Sequence, residues 1–272
     1  MQETIGSLVA LHRYPIKSML GEELNSVVLT EGCLLGDRQY ALTDPTTGKV
    51  ASAKNPRKWP RLFEFRASFT EPPQAGSALP PVRVTLPDGS TATTNSPEFN
   101  TLLSCALERE VILQGTTMAT DPSLEEYWPE VEGLAYNDVL TDEAMPNHTF
   151  FDLAPIHILT TATIDQFREL YPQGRFEVKR FRPNIVIEPA GREKGFLENN
   201  WIGRTLAIGD EVRLSITAPC PRCVMTTLPQ GDLPRDLGIL RTAVRHNNAY
   251  VGVYATVQQG GTIRRGDSVI LL

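Results

Sequence analysis

Thr205-Leu-Ala-Ile-Gly-Asp-Glu-Val-Arg-Leu-Ser-Ile216 is the stretch whose reading decides the fold. Its two ends are apolar and β-branched, and Gly209-Asp210-Glu211 between them is a turn signal, so it reads as two short strands. The pattern recurs in both directions. Downstream, Tyr250 to Val257 and Ser268 to Leu272 have strand composition, and Arg265-Gly266-Asp267 is a second turn of the same kind. Upstream, Arg182 to Ile187, Val82 to Leu86, Arg38 to Thr43, Leu24 to Thr30 and Gly6 to His12 read the same way. Asp88-Gly89 is a hairpin signal, Asp44-Pro45 a turn, and Glu71 to Pro81, with its four prolines, an exposed connection.

Helices are few. Ser96-Pro97-Glu98 offers an N-cap, an N1 proline and an acidic first turn ahead of Phe99, Leu102, Leu103 and Ala106. Thr163 is placed to cap a second helix striped by Ile164, Phe167, Leu170 and Tyr171 and ended by Pro172 and Gly174. A third is weakly patterned between Leu233 and His246. That is too little for a repeated βαβ fold. The expectation is a β-rich α+β chain in two parts, dividing between Thr117 and Asp142, with domains at 1–120 and 121–272.

The bulk composition removes several classes of function. The 272 residues suffice for a substantial core, and 41% are hydrophobic and 21% charged. With 26 basic against 32 acidic residues the net charge is −6, which argues against duplex nucleic acid or an anionic membrane as partner but leaves room for a local basic pocket. Met1 to Ala10 does not read as a secretory signal, and no stretch approaches the roughly 18 apolar residues that span a bilayer. Four cysteines (Cys33, Cys105, Cys220, Cys223) make no disulfide scaffold, so a cytoplasmic, reducing compartment is expected.

Ile216-Thr-Ala-Pro-Cys220-Pro-Arg-Cys223-Val-Met-Thr-Thr227 carries the chemistry. Zinc would need a second ligand pair, and His12, His148, His157 and His246 lack metal-ligand spacing with it. A thioredoxin-type couple would need a strand-to-helix junction that the following residues do not announce. The remaining functional reading is one reactive or metal-ligating thiolate, Cys223, its pKa lowered by Arg222, Arg182 or other cations. Two inert cysteines in a strand are the bland alternative.

Three further segments set a cation beside small hydrogen-bonding residues: Arg13-Tyr-Pro-Ile-Lys17-Ser18, Gly36-Asp37-Arg38 and Arg180-Phe-Arg182-Pro-Asn184. Forked Arg donors, a Lys point charge and neutral Ser and Asn donors are the mixture that recognises phosphate.

Taken with Phe151-Asp-Leu-Ala-Pro-Ile-His-Ile-Leu-Thr160, Pro219-Cys-Pro-Arg-Cys-Val-Met-Thr-Thr227 and Gly261-Thr-Ile-Arg-Arg-Gly-Asp267, these segments resemble, in order, the MOSC family of molybdenum-cofactor proteins, closest to the amidoxime-reducing component and its bacterial relatives. The resemblance implies a MOSC-type β-barrel with an N-terminal β-barrel-like domain and a few short helices. It implies that Cys223 ligates molybdenum and Cys220 does not. Lys17, Ser18, Arg38, Arg182 and Asn184 would hold the molybdopterin and its phosphate, with Thr160 and Thr163 in the matching loop. It also brings a family-level association with pyridoxal phosphate. The reaction implied is reductive removal of oxygen from small N-hydroxylated compounds such as amidoximes or hydroxylamino-purines, and the nearest proton-donor candidates are Asp152 and Asp37. No four clustered cysteines are present for an iron–sulfur centre, so the implied electron donor is external, a ferredoxin or a flavin reductase. A sulfur-carrier or cofactor-transfer protein bearing a Cys223 persulfide is the alternative. The likeness breaks off at Leu228-Pro-Gln-Gly, where the family continues in the manner Val-Asp-Pro-Asp, which leaves the substrate open.

Overall fold

A computed structural model of the chain describes residues 3–272. Its centre is a closed barrel of seven strands, in chain order β1 (Glu3–Arg13), β2 (Ile156–Thr160), β3 (Ile185–Pro189), β4 (Thr205–Ile208), β5 (Val212–Pro221), β6 (Tyr250–Gln259) and β7 (Ser268–Leu271). The neighbours run β3-β2-β6-β5-β4-β7-β1, and β1 pairs back onto β3 to close the ring. Closure removes the free sheet edges that would otherwise have to be protected. Only β2 and β3 run parallel, and the chain makes that crossover through α2 (Thr161–Leu170) and α3 (Val178–Phe181).

Alternation builds the barrel interior. Leu206 and Ile208, Val212, Leu214 and Ile216, Ile185 and Ile187, Ile156 and Ile158, and Val253 and Ala255 sit two apart on their strands and pack into one buried cluster. Outside the barrel, α2, α3 and α4 (Gly238–Asn247) share a second cluster of Phe167, Phe176, Phe181, Ile239 and Ala243.

The preceding part of the chain forms short antiparallel sheets around a third core, with α1 (Phe99–Leu107) against it. The expected Asp88-Gly89 hairpin is there, joining Val82–Thr85 to Thr91–Thr93. This third core also takes in Val224, Met225 and Leu228 from the far end of the sequence. The residues just after Cys223 therefore leave the barrel and anchor in the N-terminal core, which fixes Cys223 at the seam. No helix among the described residues is long and apolar enough to cross a membrane.

Several boundaries differ from the sequence expectation. Strand β5 runs on past Ile216 to Pro221, because two register irregularities against β6, between Ile216 and Ala218 and between Pro219 and Pro221, accommodate prolines that lack an N–H for a regular ladder. The expected strand from Leu24 to Thr30 breaks at Asn25 into Glu22–Leu24 and Ser26–Leu29. Helix α1 starts at Phe99, with the Ser96 hydroxyl accepting only the Glu98 N–H. Helix α2 starts two residues before its expected cap. Thr160 is the N-cap, and its Oγ1 accepts the N–H of Thr163 at 3.1 Å. The third helix keeps to Gly238–Asn247.

Candidate functional site

Two of the boundary differences concern site residues. Arg38 and Arg182 begin segments of strand composition, but both lie just before their strands with left-handed backbone, φ 47° and 54°. Ser18 is left-handed too, at φ 63°. Such conformations cost a non-glycine residue free energy and persist where the surroundings impose them, commonly at functional sites. Gly36, at φ 85°, enables the Gly36-Asp37-Arg38 turn, since a Cβ there would lie 2.6 Å from the Phe69 ring.

These turns converge on a cleft of about 250 Å³ in which Cys223, Arg38, Lys54, Arg182, Arg222 and Asp152 all take part. Asn184, His157 and Tyr254 also line it. A smaller pocket adjoins it, lined by Lys17, Ser18 and Ser52, and shares Arg38, Asp152, Arg182 and Met225 with the cleft. Six of the eight residues that the resemblance assigns to the metal or the cofactor (Lys17, Ser18, Arg38, Arg182, Asn184 and Cys223) thus face one connected space, although they lie far apart along the chain.

Ion pairs order its floor. Asp152 lies 2.7 Å from Lys17 Nζ and 3.7 Å from Lys54 Nζ, and Lys54 also holds Glu126 at 2.9 Å. Lys17 donates as well to the carbonyl of Phe150 at 2.7 Å. Burial alone would raise the Asp152 carboxyl, but Lys17 and Lys54 outweigh it and hold the group well below the carboxylate range. Asp152 is therefore a fixed anion and a poor proton donor. Asp37 is no better placed. It is fully buried, accepts from Tyr14 N–H at 2.7 Å and Asn184 Nδ2 at 3.0 Å, and pairs with Arg38. Its work is to hold those three residues.

Arg182 stands apart. It is 6% exposed, donates to the carbonyl of Met19 at 2.7 Å and lies over the Tyr14 ring at 4.2 Å, yet among the described residues it has no carboxylate partner. Burial brings its pKa down to about 10. A desolvated cation left unpaired is costly unless an anion arrives. Arg38, over the same ring at 4.7 Å, is already paired.

The cysteines differ from the expectation in one respect. All four are free thiols. Arg222 was expected to lower the Cys223 thiol. It points instead at Cys220, donating to its sulfur at 2.7 Å. Burial works against the Cys220 thiolate, but Arg222, with smaller help from His157, brings its pKa down to about 6. For Cys223, burial and the charge of Glu126 push the thiol up to about 11 despite Lys54 and Arg222. Cys220 is fully buried, while Cys223 is half-buried and faces the cleft.

Thr160 and Thr163 do not join the cleft. They are buried at the start of α2, and both hydroxyls donate to the carboxylate of buried Glu198, at 2.7 and 2.8 Å. Their pattern is that of a helix N-terminus tied to a neighbouring 3₁₀ turn. Asn184 lines the cleft, but its amide is engaged with Asp37, the His12 carbonyl and the His157 N–H. His157 donates Nε2–H to the Val251 carbonyl at 2.9 Å. Sequence reasoning missed Lys54, Glu126 and Tyr254, because they come from stretches whose Lys, Glu and Tyr look like ordinary surface residues.

Comparison with known proteins gives a consistent picture. Residues 5–117 match the MOSC N-terminal beta barrel domain and residues 146–270 match the MOSC domain. Mitochondrial amidoxime reducing component 2 of Rattus norvegicus is 29% identical over 131 residues, 43% of this chain and 37% of that protein. Mitochondrial amidoxime-reducing component 1 of Mus musculus is 29% identical over 136 residues, 45% of this chain and 38% of that protein. The matched stretch thus spans under two fifths of these relatives' own length. The crystal structure of the YUAD protein of Bacillus subtilis covers 100% of this chain and 98% of its own, with a TM-score of 0.50 at 11% identity, a likeness of fold.

Proposed function

Because the chain belongs to the MOSC family, we propose that it is a molybdenum-cofactor-dependent oxidoreductase that removes oxygen from N-hydroxylated compounds. The observation that carries this reading is the pairing of one cleft-facing thiol, Cys223, with one buried, uncompensated cation, Arg182, in the same cavity. A phosphate-bearing pterin cofactor with a soft metal would be held by such a donor set, the thiolate taking the metal and the cation the phosphate. The residues present fit such a group. Cys223 would ligate the metal. Arg182, Arg38, Lys17 and Ser18 would hold the anionic part, with Lys17 aimed by Asp152 and Phe150.

When bound, the cofactor supplies the two-electron change by which an amidoxime, two protons and two electrons become an amidine and water. The protein positions and neutralises. Asp152 keeps Lys17 and Lys54 oriented, and Asp37 keeps Arg38 and Asn184 in place. The electrons would come from an external ferredoxin or flavin reductase. The names of the amidoxime-reducing relatives support the substrate class. A sulfur-carrier role has less support, since the named relatives are amidoxime-reducing components.

The test is metal and pterin analysis of protein made in a cofactor-competent host, with dye-driven amidoxime reduction measured in parallel. Stoichiometric molybdenum, lost with activity in Cys223→Ser and largely kept in Cys220→Ala, is the expected result. Molybdenum-free protein carrying labile sulfur on Cys223 would overturn the reading.

A further inference from the structure

One wall of the cleft comes from neither matched family domain. Residues 118–145 lie between the two matches, and within them Ser123–Trp128 and Val139–Ala144 form an antiparallel hairpin. From it Glu126, Trp128 and Glu143 reach the cleft that holds Cys223. A wall built by a chain segment outside the shared domains is where selectivity particular to this protein can reside.

The charges of the cleft are compensated with two exceptions. Of its carboxylates, Asp152 is paired with Lys17 and Lys54, and Glu126 with Lys54. Glu143 has no cation within salt-bridge distance among the described residues, although Asp142 beside it on the strand is paired with Lys49. Of the cations, Arg182 is the one left without an acidic or thiol acceptor; Arg38 and Lys54 have carboxylates, and Arg222 donates to Cys220. The two exceptions belong to different parts of the space. Arg182 sits where the cleft continues into the Lys17 pocket, and Glu143 sits on the hairpin wall.

Glu143 is also held in place. The Trp128 Nε1–H donates to Thr141 Oγ1 at 2.8 Å, and Thr141 Oγ1–H donates to Glu143 Oε1 at 2.9 Å. That short relay crosses the hairpin, since Trp128 pairs with Val139 and Thr141 with Glu126. Glu143 is half-buried: one carboxylate oxygen accepts from the relay, and the other has no protein partner among the described residues and opens to the cavity that the indole also lines. An oriented carboxylate beside an indole recognises a planar cation or an N–H-rich edge, through charge-assisted hydrogen bonds and cation–π attraction.

We propose that Glu143 and Trp128 form a substrate-side subsite for the amidine group, so that the cleft is built for N-hydroxylated amidines and guanidines and not for N-oxides that lack an N–H edge. The inference rests on the proposed function for the identity of the reaction. The subsite itself rests on the uncompensated carboxylate and its relay. In the reduction an amidoxime loses its oxygen as water and becomes an amidine that is protonated at neutral pH, so Glu143 faces a group that gains positive charge as it reacts.

The experiment is calorimetric titration of the purified protein with benzamidinium chloride and with benzamide, its neutral isostere, alongside Glu143→Gln and Trp128→Leu. The wild type should bind benzamidinium at least about tenfold more tightly, the ratio expected of one charge-assisted pair in a partly desolvated site. Glu143→Gln should erase the preference while retaining the molybdenum content and melting temperature of the wild type. Trp128→Leu should weaken both ligands. Equal binding of the two ligands by the wild type, or an unchanged preference in Glu143→Gln, would overturn the subsite. Because the readout is binding, a protein inactive toward amidoximes yet selective for benzamidinium would refute the reductase reading and leave the subsite standing.

Discussion

Arg222 donates to the sulfur of Cys220 at 2.7 Å, and not to Cys223, its immediate neighbour in sequence, so the two cysteines of one short motif have opposite electrostatic surroundings. The guanidinium also donates to the carbonyl of Phe181 at 2.9 Å, which ties the end of β5 to α3. Without cofactor, Cys220 is the acidic thiol and Cys223 the neutral one.

An ultraviolet thiolate titration of the cofactor-free protein should therefore show one thiol ionising near pH 6, and Cys220→Ala or Arg222→Met should remove that step. The folded pKa is depressed below an ordinary thiol value of about 8.5. The pair's stabilisation is thus present above about pH 8.5 and fades as pH falls through about 6. Melting temperature against pH, compared between wild type and Cys220→Ala, checks the sign.

Arg182→Met should separate cofactor binding from folding. It removes the Met19 bond and also an uncompensated buried charge, two changes of opposite sign, so stability should stay within about 1 kcal/mol of wild type. Pterin and molybdenum content should fall at least about tenfold, the effect of losing one charge-assisted contact to phosphate. Chemical denaturation and metal analysis on the same preparation read both quantities.

Arg180 carries a purely structural load. It is fully buried and donates to the carbonyls of Arg175 (2.9 Å), Thr226 and Leu228 (both 3.2 Å) and Pro234 (2.8 Å). Three of those carbonyls lie in the segment that follows Cys223. Arg180→Met leaves them unsatisfied and should cost about 3–5 kcal/mol in urea denaturation, with Arg180→Lys recovering part of the loss.

Glu198 supplies a pH test of the α2 terminus. Burial raises its carboxyl pKa, although the hydroxyls of Thr160 and Thr163 oppose the shift. A carboxyl raised on folding contributes stability below its unfolded value of about 4.3, and that contribution is lost as pH rises through the folded value. Glu198→Gln keeps an acceptor for both threonines. It should match or exceed wild-type stability at neutral pH and flatten the decline between acid and neutral pH, as melting curves would report.

The sequence by itself determined the class of fold and the ingredients of the cleft. Alternating apolar residues, as in Leu206 and Ile208 or Val212, Leu214 and Ile216, commit a segment to a half-buried strand wherever it lies, because side chains alternate across the pleat. Arg13 to Ser18, Gly36 to Arg38, Arg180 to Asn184 and the cysteine pair were legible because each combines turn residues with unusual donors within a few positions. Geometry between segments was not legible. Whether Arg222 faces Cys220 or Cys223 depends on β5 running on through two prolines, which their missing N–H groups argued against. That Lys54 and Glu126 meet beside Cys223, that Glu143 lacks a cation while Asp152 has two, and that Thr160 and Thr163 serve a helix end and not the cleft were decided by the tertiary structure alone. Charge interactions act through space, and the distances that set them come from folding the barrel against the N-terminal core.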